Sequence, residues 1–279
     1  MIMNKQAVKL GNLKLKNPII LASGTFDRGI TKKVDINQLG GIVTKTITLK
    51  LRKGNPLPHI FKTRYGWLNS VGLKNVGLEK YLADELPFWQ KYDTQIFTSI
   101  GGENAREYIK LAKLLNGKTL SLEVDVSCPN VTGTPFSFDP KRLKKLIFDI
   151  RKKFKGFISV KLSPNVSDII APAKAVLIGG ADALTIANTY QGLELIKGKP
   201  VFAKIIAGYS GGAIKPLTMK LVWQVRHTLK CPIIASGGVE NAQDVLDYLS
   251  CGAKAVQIGS ANFLNPGISV KIIDELQRR

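Results

Sequence analysis

Cysteine and histidine are scarce in this 279-residue chain, with three of the former and two of the latter. Cys128, Cys231 and Cys251 are an odd set without C-x-x-C spacing. That argues against a disulfide framework and a structural zinc site, and it fits a reducing cytosol. His59 and His227 leave little material for a His-based metal centre or a Ser-His-Asp triad, so no metal site is expected. No apolar run approaches the ~18 residues of a membrane span. The early run at 18–22 is too short for a secretory signal core, and charges surround it. Acidic residues are also few, 20 Asp and Glu against 41 Lys and Arg, a formal charge of +21.

Such a field attracts anions in general: nucleic acid, phosphorylated cofactors, carboxylates or acidic proteins. Its distribution narrows the choice. The densest run, KRLKKLIFDIRKKFK at 141–155, has eight basic residues in fifteen. Leu143, Leu146, Ile147, Ile150 and Phe154 fall at helical spacing, which places the basic residues on a solvated helix face. No zinc-finger spacing, ribonucleoprotein motif or basic arm accompanies the charge, so nucleic-acid binding is not expected.

Eight apolar, β-branched runs punctuate the chain: 17–23, 41–46, 94–100, 120–127, 158–163, 183–189, 232–237 and 255–260. Several are apolar on both faces, as buried parallel strands should be. Helical spacing appears between them, in Ala105, Tyr108, Ile109, Ala112 and Leu115, in Leu217, Leu221, Val222 and Val225, and in Ala242, Val245, Leu246 and Leu249. Eight alternations of strand and helix predict a (β/α)8 TIM barrel, one α/β domain over 1–279. An open doubly wound sheet is the weaker alternative, because no G-x-G-x-x-G follows the first strand. Residues 47–75 and 190–215 are too long for ordinary loops. Each follows a strand, which predicts elaborated loops over the C-terminal end of the barrel.

A barrel brings the strand ends to one mouth. Gly237-Gly238 and Gly259-Ser260 follow the seventh and eighth strands, where backbone N–H groups commonly hold phosphate. Lys161 and Lys45 read as lysines facing the mouth or as snorkelling side chains at its rim. Cys128, just past a buried strand, reads equally as an inert small hydrophobe or as a nucleophile or general base. Cys231 and Cys251 read as inert.

At these residues the chain resembles the class 1 dihydroorotate dehydrogenases, the soluble FMN enzymes of pyrimidine synthesis. The motifs are NPIILASGTF (17–26), TKT (44–46), LNSVGLKNVG (68–77), SCPNV (127–131), VKLSPNV (160–166), ANT (187–189), GYSGGAIKP (208–216), ASGGV (235–239) and QIGSANF (257–263). They occur in family order over nearly the whole length. The resemblance implies a cytoplasmic flavoprotein that oxidises dihydroorotate to orotate. FMN would lie across the mouth, its phosphate on Gly211, Gly237, Gly238, Gly259 and Ser260. Ser23, Lys45, Thr46, Ser99, Asp125, Ala187 and Lys161 would contact the rest of the cofactor, Lys161 stabilising charge on the reduced ring. The pyrimidine would be gripped by Lys45, Asn69, Asp125, Asn130, Asn188 and Thr189, its carboxylate on the loop of Ser70, Val71, Gly72 and Leu73. Cys128 would be the general base, with the 47–75 or 130–138 loop closing over it.

The ANT, KLSPNV and SANFLNP segments resemble class 1B, whose members pass electrons to NAD through a separate iron–sulfur and FAD subunit. The shorter VTGTPFSFDP (131–140) looks more like the fumarate-using form. A homodimer is also expected by resemblance. Two residues depart from the pattern: Asp125 and Ser99 stand where the family usually has asparagine. A carboxylate only accepts hydrogen bonds, so Asp125 keeps open a different dihydropyrimidine substrate. A non-catalytic, basic nucleic-acid-binding barrel is the weakest alternative.

Overall fold

A computed structural model describes residues 7–127 and 136–278. Eight parallel strands close into a ring: β1 (Ile19–Leu21), β2 (Gly41–Val43), β3 (Gln95–Ile100), β4 (Ser121–Asp125), β5 (Phe157–Lys161), β6 (Ala183–Ile186), β7 (Ile233–Ser236) and β8 (Ala255–Ile258). The ring closes where Val256, Gln257 and Ile258 of β8 pair with Ile19, Ile20 and Leu21 of β1. This is the TIM barrel expected from the alternating pattern, and closure removes the open-sheet alternative. Each of the eight apolar runs coincides with a barrel strand, β5 starting one residue before its run. Several ladders stop short of the run: β2 ends at Val43, and Thr44, Lys45 and Thr46 continue beyond it toward the mouth.

Helices pack outside the ring. Pro140–Lys153 buries Leu143, Leu146, Ile147 and Ile150 and turns its lysines to solvent, as its spacing predicts. Asp139 caps it by accepting from the Arg142 N–H, and Pro140 sits in the first turn, where a missing N–H costs nothing. Asn104 and Asn241 cap Ala105–Leu115 and Ala242–Ser250 in the same manner. Two details differ from the sequence pattern. In Lys215–Thr228 the core-facing position of the first turn is Thr218, and Leu217 is exposed. Between β1 and β2 the chain forms only the short turns Arg28–Lys32 and Ile36–Gln38 instead of an α-helix.

The barrel interior is stratified. Ile20, Val43, Phe97, Phe157, Ala183, Ile234 and Ala255 form an apolar floor. An N-terminal hairpin, Val8–Leu10 and Leu13–Leu15, covers that floor from outside and buries Leu10 and Leu15 completely against it. Above the floor the inward positions turn polar: Ser99, Glu123, Ser159, Thr185 and Gln257 are all buried. Side-chain alternation dictates this sequence, because Phe157, Ser159 and Lys161 lie two apart on one face of β5 and step from floor to mouth.

Both long insertions meet above the mouth. Ile60–Lys62 and Trp67–Asn69 come from the first, Tyr190–Gly192 and Ala207–Ser210 from the second. Together they form a four-stranded antiparallel sheet in the order Tyr190–Gly192, Ala207–Ser210, Trp67–Asn69, Ile60–Lys62. The 47–75 segment is therefore a hydrogen-bonded wall over much of its length. Arg52 and Asn75 exchange backbone hydrogen bonds, and the Arg52 guanidinium pairs with Glu103 at 2.6 Å. Among the described residues, no helix is long and apolar enough to cross a membrane.

The hairpin seal makes a separable prediction. Leu15→Ala should lower unfolding free energy by about 2–5 kcal/mol, the usual range for a fully buried leucine, because the floor loses its cover. Urea unfolding measures the loss, and ligand binding at the opposite end of the barrel should be unaffected.

Candidate active site

A cavity of about 810 Å³ opens between the strand ends and the four-stranded sheet. That volume suits a cofactor-sized ligand. The sequence-predicted residues Ser23, Lys45, Thr46, Asn69, Ser70, Val71, Gly72, Leu73, Asp125 and Lys161 line it. So do Ala187, Asn188, Thr189, Gly211, Gly237, Gly238, Gly259 and Ser260. Cys128 and Asn130 lie outside the described residues, as does most of the 130–138 loop. Ser99 corrects an expectation. It is fully buried and set back from the cavity surface, because it lies within β3 instead of past its end. Its hydroxyl pairs at 2.8 Å with that of Thr46, whose hydroxyl in turn lies 3.2 Å from Ser23 Oγ. Ser23 also donates to the Thr44 carbonyl at 2.8 Å. Ser99 thus supports two lining hydroxyls without lining the cavity itself.

One wall is bare main chain. Gly237 and Gly238 have φ of +151° and +68°, conformations that favour glycine. A Cβ on Gly238 would sit 2.6 Å from the Lys215 backbone nitrogen, and one on Gly211 would sit 2.7 Å from Gly66 Cα. Only bare backbone fits, so main-chain groups crowd together beside the N-terminus of Lys215–Thr228. The turn is braced from behind. Tyr248 donates to the Gly237 carbonyl at 2.6 Å, and Lys215 Nζ is held between Asp244 and Asp247 at 2.5 Å each. The Lys215 charge is thereby committed to structure. At the rim, Glu240 accepts from the Gly212 N–H at 3.0 Å.

Opposite lies a cluster of charges. Lys45 Nζ passes over Gly24, where a Cβ would come within 3.0 Å of it. Burial and the neighbouring Lys161 pull the Lys45 amine below its ordinary range, while Asp125 opposes them. Asp125 Oδ1 accepts from both the backbone N–H (3.0 Å) and the hydroxyl of Ser127. Ser127 Oγ in turn accepts from Asn188 Nδ2, and Asn188 Oδ1 accepts from the Thr189 N–H at 2.7 Å. A hydrogen-bonded chain therefore runs from β6 to β4 directly before Cys128. It fixes Asp125 and Asn188 relative to each other.

The sheet over the mouth positions the remaining polar groups. Asn69 Nδ2 donates to the Gly208 carbonyl at 3.0 Å, and a Cβ on Gly208 would collide with Thr189 Oγ1 at 2.2 Å. Gly208 thus lets side chains from both insertions converge. The turn after Asn69 carries left-handed φ at Gly72 (+67°) and Leu73 (+56°), and Asn55 steadies it through Ser70. Asn165 ties the two walls together, donating to the Thr189 carbonyl at 3.1 Å and accepting from the Gln191 N–H at 2.9 Å.

Sequence reasoning missed Glu123. It is fully buried below the cavity, 3.9 Å from Lys161 Nζ, with Oε2 accepting from Thr185 Oγ1 (3.0 Å) and Gln257 Nε2. Burial pushes its carboxyl up, while Lys161, Gln257 and Thr185 pull it down. The signal was present in LSLEVDVS, where Ser121, Glu123 and Asp125 alternate with apolar residues. Cys231 and Cys251 pack against the outer core, and burial pushes both thiols up, Cys231 to about 11. Neither is activated.

The dihydroorotate dehydrogenase family model matches residues 5–279. A protein of Thermoanaerobacter sp. (strain X514) is 41% identical over 283 residues, 99% of this chain and 93% of its own length. One from Thermodesulfovibrio yellowstonii is 41% identical, covering 97% and 92%, and one from Solidesulfovibrio magneticus is 42% identical, covering 97% and 91%. All three bear the name dihydroorotate dehydrogenase B (NAD(+)), catalytic subunit. The match runs along nearly the full length, and the chain belongs to the dihydroorotate dehydrogenase family.

Proposed function

We propose that this chain oxidises dihydroorotate to orotate in pyrimidine synthesis, using FMN bound across the barrel mouth. The observation that carries the reading is the pairing, in one cavity, of a side-chain-free anion cradle with a two-lysine floor. The first suits the cofactor's phosphate. The second suits a ring that gains negative charge on reduction. FMN, when bound, accepts the hydride.

Each group of this chain has a definable task in that reading. Gly211, Gly237, Gly238, Gly259 and Ser260 hold the phosphate end. Ser23, Lys45, Thr46, Ala187 and Lys161 contact the remainder of the cofactor, and Ser99 acts through Thr46. Asn69, Asn130, Asn188 and Thr189 orient the pyrimidine, with the turn of Ser70, Val71, Gly72 and Leu73 receiving its carboxylate. Cys128 takes the C5 proton as general base, and the Asp125–Ser127–Asn188 chain fixes the backbone that leads into it. Electrons leave to NAD through a separate subunit, a reading that the relatives' words "catalytic subunit" and "NAD(+)" support. A single-domain chain, a homodimer and a cytoplasmic setting complete it.

Asp125 favours a second reading, a different dihydropyrimidine. Its carboxylate can only accept, and with Oδ1 already bonded to Ser127 it rewards a ligand N–H and repels a carbonyl oxygen.

Three outcomes are expected. The purified chain, reconstituted with FMN, has a yellow flavin spectrum that dihydroorotate bleaches anaerobically and dihydrouracil does not; the reverse preference would select the second reading. Gly238→Ala should weaken FMN binding at least about tenfold by fluorescence titration, since the left-handed turn and the Lys215 backbone leave no room for a methyl group. Cys128→Ser should retain FMN but slow its reduction by about 10²–10⁴ in stopped flow, the usual worth of a general base. Reduction at an unchanged rate would remove Cys128 from the mechanism.

A further inference from the structure

The buried polar layer below the mouth contains a carboxylate that the proposed chemistry leaves unused. Glu123 has no solvent exposure, and its two oxygens are differently placed. Oε2 is held by the Thr185 hydroxyl on β6 and the Gln257 amide on β8. Among the described residues Oε1 has no hydrogen-bond partner, and the cation in reach of it is Lys161 Nζ on β5, at 3.9 Å. All three neighbours present hydrogens, and the Lys161 ammonium faces the free oxygen, which opposes the push of burial toward the neutral acid. Lys161 is itself only 7% exposed. A buried carboxylate with a free oxygen costs stability unless a charge faces it.

We infer that Glu123 is a positioning residue for Lys161: braced from two strands through Oε2, it holds the ammonium at the cavity floor through Oε1 and offsets its charge. The inference rests on the flavin reading above, in which Lys161 faces the cofactor. Its consequence is electrostatic. A lysine partly neutralised from below stabilises an electron-rich ring less than an unpaired lysine would, so Glu123 holds down the reduction potential of the bound cofactor. The isosteric Glu123→Gln fills the same space and keeps an oxygen for Thr185, but it removes the charge.

The test is the midpoint potential of bound FMN, measured by dye equilibration on the FMN-loaded wild type and Glu123→Gln. An upward shift is expected, about tenfold in the two-electron equilibrium, or ~30 mV. A merely structural Glu123 would not move it. FMN uptake with a shift below threefold, or a downward shift, would overturn the inference while leaving the flavin reading intact. Failure of the wild type to take up FMN would overturn both. Should Glu123→Gln not fold, Glu123→Asp carries the test. It keeps the negative charge but draws it back from Lys161 by one methylene, so the ammonium is offset less and the potential should rise in the same direction. An unmoved potential there overturns the inference equally.

Discussion

The pairing of β8 with β1 is the constraint on which the remainder of the molecule depends. Three register pairs between Val256–Ile258 and Ile19–Leu21 turn a row of parallel strands into a ring. In an open sheet, Ser23 and Ser260 would flank opposite edges, and Lys45 would be remote from Gly259. In the ring they line one cavity. The strands themselves are short, β1 and β2 only three residues each, so most of their cohesion comes from neighbours and from the core on both faces. The geometry of the site is therefore a property of the closed circuit more than of any one segment.

Much of this was legible in sequence because it is periodic. Apolar runs mark buried strands, and the lysine-rich helix sorted correctly into core and solvent faces because Leu143, Leu146, Ile147 and Ile150 follow the 3.6-residue repeat. Strand ends followed from the fold, which is why Lys45, Lys161 and the glycine pairs were found where they line the cavity. What escaped has physical causes. Leu217 lies at the helix start, where the turn is set by the glycine-rich approach, so an apolar residue there faces water while Thr218 packs inward. Ser99 looked like a lining residue because its distance along β3 from the mouth depends on ladder length, which composition does not give. Glu123 escaped because the alternation of Ser121, Glu123 and Asp125 shows which face they share and gives no sign of what will face them. Its partners come from strands 62 and 134 residues away.

Charge is handled differently inside and outside. On the surface the excess of lysine is dispersed over solvated helix faces, where each cation interacts weakly. Within the barrel, Lys45 and Lys161 are set near Asp125 and Glu123 in low-dielectric surroundings. Small displacements there change energies more than any surface pair does. Lys215, by contrast, is withdrawn from the cavity by two aspartates and serves as a strut behind the glycine turn. Three lysines close to one mouth thus do distinct jobs because their counter-charges lie on different sides of them.

The four-stranded sheet above the mouth has an evolutionary corollary. Its strands come two from each of two insertions separated by more than a hundred residues, and Gly208 pairs with Asn69 across the seam. Neither seam strand can shift register alone without breaking its ladder with the other. The two must drift in concert, like facing pages of a single binding. Reshaping the ligand space in this lineage is thereby channelled into paired changes of side chains and away from independent remodelling of loops.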